Sequence, residues 1–289
     1  MHINACGNQL SNLGSSFSEN SKHNNNSTTT NDSAKSAVSI FSEVFPLEVV
    51  REITNYADFD TSKILLRVSK GMNNVISSQN EERRKLVKGM AFGKEEWLKF
   101  YDQDIGNEPL FPRNIIEILK SVGDSFFLTL IPKGQSVKSF GELSKKYFPT
   151  STGYDEDVFK PILEVLETPN DKSYWALMSK DVLNGSRGKK FEAQQKMVAE
   201  FFQNANVNCK VPTALEAVVS ILTHHVRSGE RLFSDNPITY TRCLDVYKGY
   251  QVVVGGFALS GLRVHYYYSD GDDRLGVAAL RKFRPLVIG

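Results

Sequence analysis

His224 and His225 stand side by side, and imidazole is the commonest protein ligand for a transition metal. On a helix, neighbouring residues point about 100° apart, so adjacent histidines do not converge on one ion as an i, i+4 pair does. No His-Glu-x-x-His run surrounds them, and a packed, hydrogen-bonded pair without metal is the expectation. Cys6, Cys209 and Cys243 are scattered, without Cys-x-x-Cys spacing, so neither a zinc site nor a disulfide framework is expected. A thiol nucleophile needs an activating base. Cys243 instead sits in a strand-like run between Arg242 and Leu244, where a structural thiol is expected. Arg187, after Ser186, and Arg242, within Thr239-Tyr240-Thr241-Arg242, carry guanidinium groups that can clamp a carboxylate or phosphate; a salt bridge to a nearby acid is the competing reading. Arg187, His224 and Arg242 are therefore the candidate site residues of the C-terminal part. No catalytic residue, metal or cofactor is assigned.

Other runs point to shape rather than reaction. Gly255-Gly256-Phe257-Ala258-Leu259-Ser260-Gly261 lacks the Gly-Lys-Ser/Thr ending of a phosphate loop, and a strand-like run follows it. Asp270-Gly271-Asp272-Asp273 has no EF-hand spacing and reads as a hairpin tip. In a strand, Tyr266-Tyr267-Tyr268 would expose alternate rings, as a binding hot spot or simply for packing. A net charge of +2 over 289 residues gives no case for nucleic acid or an acidic membrane as partner. No segment reaches the roughly 18 apolar residues a membrane helix needs, and the first residues do not resemble a Sec-type signal peptide.

The elements that must position these residues divide by composition. Residues 1–37 are rich in Asn, Ser and Thr and are expected to be disordered, either a plain tail or an unfolded export signal. Residues 38–92 read as a compact helical module. Pro46 suits a first helical position, and Glu48 and Glu52 lie near the positive end of the dipole. Val49, Ile53 and Tyr56 form one apolar face, with Leu47 and Val50 on its neighbour. Asp58 to Ser62 reads as a loop, and a second helix carries Ile64, Leu65, Val68, Met72, Val75 and Ile76.

The run Phe45-Pro46-Leu47-Glu48-Val49-Val50-x-x-Ile53-x-x-Tyr56, followed by Leu66-Arg67-Val68-Ser69-Lys70, resembles the F-box motif. Phe45, Ala57 and Met72 are departures from that pattern, and the family's late Leu-Trp is absent. The resemblance implies a surface for a Skp-type adaptor of a cullin ubiquitin ligase, made by Phe45, Pro46, Leu47, Val50 and Ile53.

Residues 93–289 form the larger part. Helices are expected at Lys94–Tyr101, around Ile115–Leu119, and over Phe191–Phe202. Ser139 and Glu142 read as the capping box of a further short helix. Phe126–Ile131 and Tyr174–Met178 read as strands. Thr213 and Glu216 form a capping box for a helix to about Ser228, with Leu215, Val218, Val219, Leu222 and Val226 as one apolar stripe and Gly229 as its stop. Four short strands follow, Thr239–Cys243, Val252–Val254, Leu262–Tyr268 and Gly276–Leu280, with Gly255-Gly256 and Ser269 to Asp272 as turns. The fold class expected is α+β: a small N-terminal helical module, then a larger mixed domain with an antiparallel sheet.

Gly93-Lys94-Glu95-Glu96-Trp97, Ser173-Tyr174-Trp175-Ala176-Leu177-Met178, Gly185-Ser186-Arg187, Val226-Arg227-Ser228-Gly229-Glu230-Arg231-Leu232 and Gly276-Val277-Ala278-Ala279-Leu280-Arg281-Lys282-Phe283 occur in this order. Together they resemble the F-box-domain proteins of amoeba-infecting chlamydiae. That resemblance implies a bacterial effector, made in the bacterial cytoplasm and acting in the host cytosol, whose C-terminal domain holds an unknown protein target. Two classes stay open. One is an adaptor of this kind; the other is an enzyme or small-ligand domain with the helical module as a structural cap.

Overall fold

The computed structural model describes residues 78, 81–112, 114–148, 162, 166–201, 208–267 and 271–283. The tail at 1–37 and the adaptor-binding candidates Phe45, Pro46, Leu47, Val50 and Ile53 lie outside the described residues. All described residues belong to one compact unit.

The described chain starts with helix α1 (81–87) and the short strand β1 (Ala91–Phe92). Helix α2 (Lys94–Tyr101) follows, with Glu96 accepting the N–H of Gly93 at 2.9 Å, which satisfies a donor the helix start leaves open. Helix α3 (Ile115–Val122) leads into strand β2 (Phe126–Ile131), buried along its whole length. Helix α4 (Val137–Ser144) is capped by Ser136, not by Ser139: Ser136 Oγ accepts Ser139 N–H at 3.0 Å, and Ser139 Oγ accepts Ser136 N–H at 2.9 Å. The expected box is thus shifted by three residues, because Val137 and Phe140 are the side chains that the core takes in. Strand β3 (Tyr174–Ser179) and helices α5 (Phe191–Glu200) and α6 (Ala214–Ser228) complete the first part. Then come β4 (Tyr240–Tyr247), β5 (Tyr250–Ala258), β6 (Gly261–Tyr266), β7 (Leu275–Gly276) and β8 (Leu280–Phe283).

The fold is α+β, and among the described residues the strands make two four-stranded sheets. The first has the order β1-β2-β3-β8, with β2 antiparallel to β3 (Leu128↔Leu177) and β3 antiparallel to β8 (Met178↔Leu280). The second has the order β6-β5-β4-β7 and is antiparallel except for the β4–β7 pair. Two expectations change here. The run Gly276–Leu280 is not one strand: β7 ends at Gly276, and Val277, Ala278 and Ala279 cross, fully buried, to the other sheet, where β8 begins. Gly255-Gly256 is not a turn but lies inside β5, at a break in the register with β6.

The crossing of residues 277–279 explains several buried hydroxyls. A backbone N–H taken out of water must find an acceptor. Val277, Ala278 and Ala279 donate to Ser186 Oγ (3.2 Å), Thr241 Oγ1 (2.8 Å) and Ser179 Oγ (3.1 Å) in turn.

Helix α6 packs on β2 and β3 of one sheet and on β4, β5 and β6 of the other. Residues 216–223 are buried without interruption, so the single apolar stripe expected from the sequence is corrected to burial on all sides. Leu215 and Val226, counted in that stripe, are only half-buried, while Ala217 and Ile221 are fully buried. Of the buried hydroxyls of α6, Thr223 Oγ1 donates to Val219 O at 2.7 Å, the usual way for a hydroxyl inside a helix, whereas Ser220 Oγ is left without a partner among the described residues. An aromatic cluster around Trp97, with Phe92, Tyr101 and Phe140, packs beside the first sheet, and Trp97 Nε1–H donates to Leu130 O at 2.9 Å.

Candidate functional site

Each polar candidate from the sequence is engaged in holding the fold. His224 Nε2 lies 2.9 Å from Glu230 Oε2, and His225 Nδ1 lies 3.1 Å from the Glu230 carbonyl. Both rings thus serve the turn that ends α6 at Gly229. His224 also packs on Phe127, and His225 lies between Phe148 and Phe257. Burial pushes the His224 imidazole below its ordinary value, against the opposing pull of Glu230.

Arg187 and Arg242 are brought to the same region, where the loop before α5 meets β4 and β7. Arg187 donates to Thr239 Oγ1 (2.9 Å) and to the Asp273 carbonyl (3.3 Å). Arg242, nearly fully buried, donates to the Lys189 carbonyl (2.9 Å) and to Gln194 Oε1 (3.2 Å). Gln194 passes the connection on, donating to Ser186 O (2.7 Å) and Leu275 O (3.2 Å). A guanidinium anchored on backbone carbonyls fixes loops, and of the two readings of these arginines the intramolecular one is seen: Arg187 also lies 3.9 Å from Asp181 Oδ1. Cys209 and Cys243 are equally spent. Burial pushes Cys209 up to about 11 and Cys243 well above the ordinary thiol value, so neither supplies a thiolate near neutrality.

Two clusters were missed by sequence reasoning. The first sits at the start of α6. Glu216, 1% exposed, accepts the Thr213 N–H (2.8 Å), the Tyr174 hydroxyl (3.1 Å) and Lys210 Nζ (3.2 Å). Asp245 of β4 accepts the Ala214 N–H at 2.5 Å. The capping box identifies Glu216 as a cap of α6, but its further partner Tyr174 and the neighbouring Asp245 come from other strands and leave no local signal. Burial, with the nearby Glu216 charge, pushes the Asp245 carboxyl above its ordinary 3.8. An acid raised in the folded state makes folding less favourable where it is ionised. That penalty is complete above the raised value and disappears as the pH falls below 3.8. Asp245→Asn keeps an acceptor for Ala214 and removes the charge. The variant is expected to melt higher than wild type at pH 7, with the gap closing as the pH falls to 4. A gap unchanged between pH 7 and pH 4 in calorimetric melts would refute this.

The second cluster lines a cleft of about 220 Å³ between α1, α2 and β3, with Val87, Ala91, Leu98, Phe111 and Trp175 as its apolar residues. Trp175 stacks on Phe111 with ring centroids 4.5 Å apart, and its Nε1–H donates to Pro109 O at 2.9 Å. Glu108, 5% exposed, accepts the Lys94 N–H (2.7 Å) and pairs with Arg84 (2.5 Å). In sequence the nearest acids to Arg84 are Glu81 and Glu82. Glu81 does pair with it at 3.1 Å, but Glu108 arrives from a loop more than twenty residues away. Leu98, on the rim of the cleft, is 52% exposed, and Leu86 and Met90 of the preceding segment are 64% and 51% exposed.

Among the described residues no group of three or more His, Cys, Asp or Glu side chains is arranged to hold a metal ion. In comparisons with known proteins, the chain matches no family model, no curated protein and no solved structure.

Proposed function

We propose that the chain is an interaction protein, an F-box-like adaptor. Residues 38–92 recruit a Skp-type adaptor of a cullin ubiquitin ligase, and the α+β domain holds a protein target. The observation that supports this over an enzyme is how the two kinds of surface are used. The reactive side chains, His224, His225, Arg187, Arg242, Cys209 and Cys243, are committed to internal bonds or burial. The apolar cleft and its exposed leucine and methionine side chains remain available. An apolar patch within a polar rim is how protein-binding surfaces are built. The adaptor half rests on the motif at Phe45, Pro46, Leu47, Val50 and Ile53. As a bacterial effector, the protein would do this work in the host cytosol.

Adaptor affinity measured by calorimetry tests the reading. Wild-type protein is expected to bind a eukaryotic Skp-type adaptor at tens of micromolar or tighter. Leu47→Asp is expected to weaken binding about tenfold or more, because it strands a charge in an apolar groove. Its thermal midpoint is expected to stay at the wild-type value. No heat of binding with wild-type protein, or unfolding of Leu47→Asp in the free chain, would sink the proposal.

A further inference from the structure

We infer that Asn184-Gly185 is a self-modifying site: in the folded protein Asn184 closes a succinimide ring on the Gly185 nitrogen, which water opens to aspartate or isoaspartate. The inference stands apart from the adaptor reading and needs no bound partner.

This chemistry needs a free carboxamide and a free backbone N–H, and the fold supplies both. The segment between β3 and α5 turns at 183–186, where the Ser186 N–H donates to the Leu183 carbonyl at 2.9 Å. Gly185 has φ +72°, close to what a type II turn requires at its third residue. The closing bond uses the outer peptides of the turn and leaves the central one, between Asn184 and Gly185, outside it. Both residues are exposed, and among the described residues neither the Asn184 carboxamide nor the Gly185 N–H has a hydrogen-bond partner. A Cβ at Gly185 would meet nothing within 4 Å, so the surroundings leave the turn room to bend as the ring closes.

The only co-reactant is water. The Gly185 nitrogen gives its proton to water and attacks Asn184 Cγ. The N–Cγ bond forms, the Cγ–Nδ2 bond breaks, and Nδ2 leaves as ammonia with a proton returned by water. A second water then adds to either carbonyl of the five-membered ring. Addition at Cγ restores the normal chain with aspartate at 184. Addition at the backbone carbonyl gives isoaspartate, whose main chain runs through Cβ and Cγ. Nothing is oxidised or reduced.

Two other asparagines show what prevents the reaction. Asn170 accepts the Gln135 N–H (2.9 Å) and donates to the Lys172 carbonyl (2.8 Å), so its carboxamide is not free to turn onto the next nitrogen. Asn236 precedes Pro237, which has no N–H to lose. At 184 the product matters because of what the turn holds. Isoaspartate adds one carbon to the main chain inside the bond that closes the turn. Both ends of that turn anchor the crossing segment: the Leu183 N–H donates to the Val277 carbonyl (2.8 Å), and Ser186 Oγ accepts the Val277 N–H (3.2 Å). The modification therefore loosens the chain where it passes between the two sheets.

The test is to age the full chain at mildly alkaline pH, folded and in guanidinium chloride. Peptide mapping by mass spectrometry follows each asparagine, and methyl-ester formation by an isoaspartate-specific methyltransferase counts the isoaspartate. Conversion at 184 in the folded protein is expected within about tenfold of the unfolded rate, because the turn leaves both groups free. Asn170 is expected to stay intact in the folded protein over the same period. Gly185→Ala, whose Cβ obstructs ring closure, is expected to slow conversion about tenfold or more. Asn184→Gln, which would need a six-membered ring, is expected to abolish it at that position. The isoaspartate form, separated by chromatography, is expected to melt roughly 2–4 °C below the parent, as for the loss of one hydrogen bond. A folded rate more than about tenfold below the unfolded one would overturn the inference. So would conversion of Asn170 alongside Asn184, an unslowed Gly185→Ala, or an isoaspartate form that melts with the parent.

Discussion

Glu216→Ala is expected to lower the thermal midpoint by roughly ten degrees. The carboxylate lies at the start of the helix that both sheets grip, and it answers three donors from three places: Thr213 N–H, the Tyr174 hydroxyl and Lys210 Nζ. Removing it leaves the Tyr174 hydroxyl buried without that acceptor and sets a lysine beside an apolar hole. Lys210 is 40% exposed and water can take over its charge, so the loss falls on the other hydrogen bonds and on the stranded Tyr174 hydroxyl. Together these cost about 3 kcal/mol, which for a domain of this size is roughly 6–12 °C. Glu216→Gln is expected to fall between the two, because the amide can accept one of the three bonds while its NH₂ faces donors. Calorimetric melts of the three proteins decide the matter. An alanine variant within two degrees of wild type would show that these bonds merely replace equally good ones to water.

Gly255→Ala is expected to be worse still. Gly255 has φ +152°, and a Cβ there would stand 2.2 Å from the Thr239 carbonyl oxygen and 2.8 Å from Tyr240 Cα. Both are backbone atoms of the paired strand, so no side chain can swing aside. The same Thr239 carbonyl accepts the Gly256 N–H at 2.8 Å, so the two strands cannot part locally without losing that bond. A cost above about 4 kcal/mol is expected, in the range reserved for strain that the structure cannot relieve. Gly229→Ala is the control. Its φ of +77° is also left-handed, but a Cβ there meets open space, so the cost is limited to about 1 kcal/mol of backbone strain. Equal melting points for the two alanine variants would show that the close approach of Thr239 is unimportant.

What the sequence made legible was local. Lys94–Tyr101, Phe126–Ile131 and the helix between Thr213 and Gly229 were readable because their signals lie within the segment: a cap, a stop, a run of one period. The identity of the faces was not. The helix at 214–228 shows a leucine–valine stripe in sequence, but its small residues Ala217 and Ser220 are as buried as Val218, because a second sheet comes down on them. No pattern inside fifteen residues announces a sheet made of strands that come later. The candidate site shows the same limit. Arg187 and Arg242 were recognisable as cations with unusual neighbours, but that both hold the loop around Ser186 to Lys189 depends on Gln194 and Thr239 arriving from elsewhere. The cleft was invisible for the same reason: Arg84, Glu108, Phe111 and Trp175 meet only after the chain has folded.

The crossing at 277–279 has a consequence for how the protein is made. The first sheet begins at Ala91 but is completed by Leu280–Phe283, which pair with β3 about a hundred residues earlier. A ribosome adds roughly 5–20 residues each second and releases the chain from its N-terminal end. Several seconds therefore separate the appearance of β3 from that of the strand that covers its edge. During that interval Trp175 to Met178 present a buried-type strand with one side open, the sort of edge on which unfinished chains associate. Expression of this protein should thus depend on chaperones that hold nascent chains, and chains stopped short of residue 280 should be recovered in the aggregated fraction rather than as a smaller folded domain.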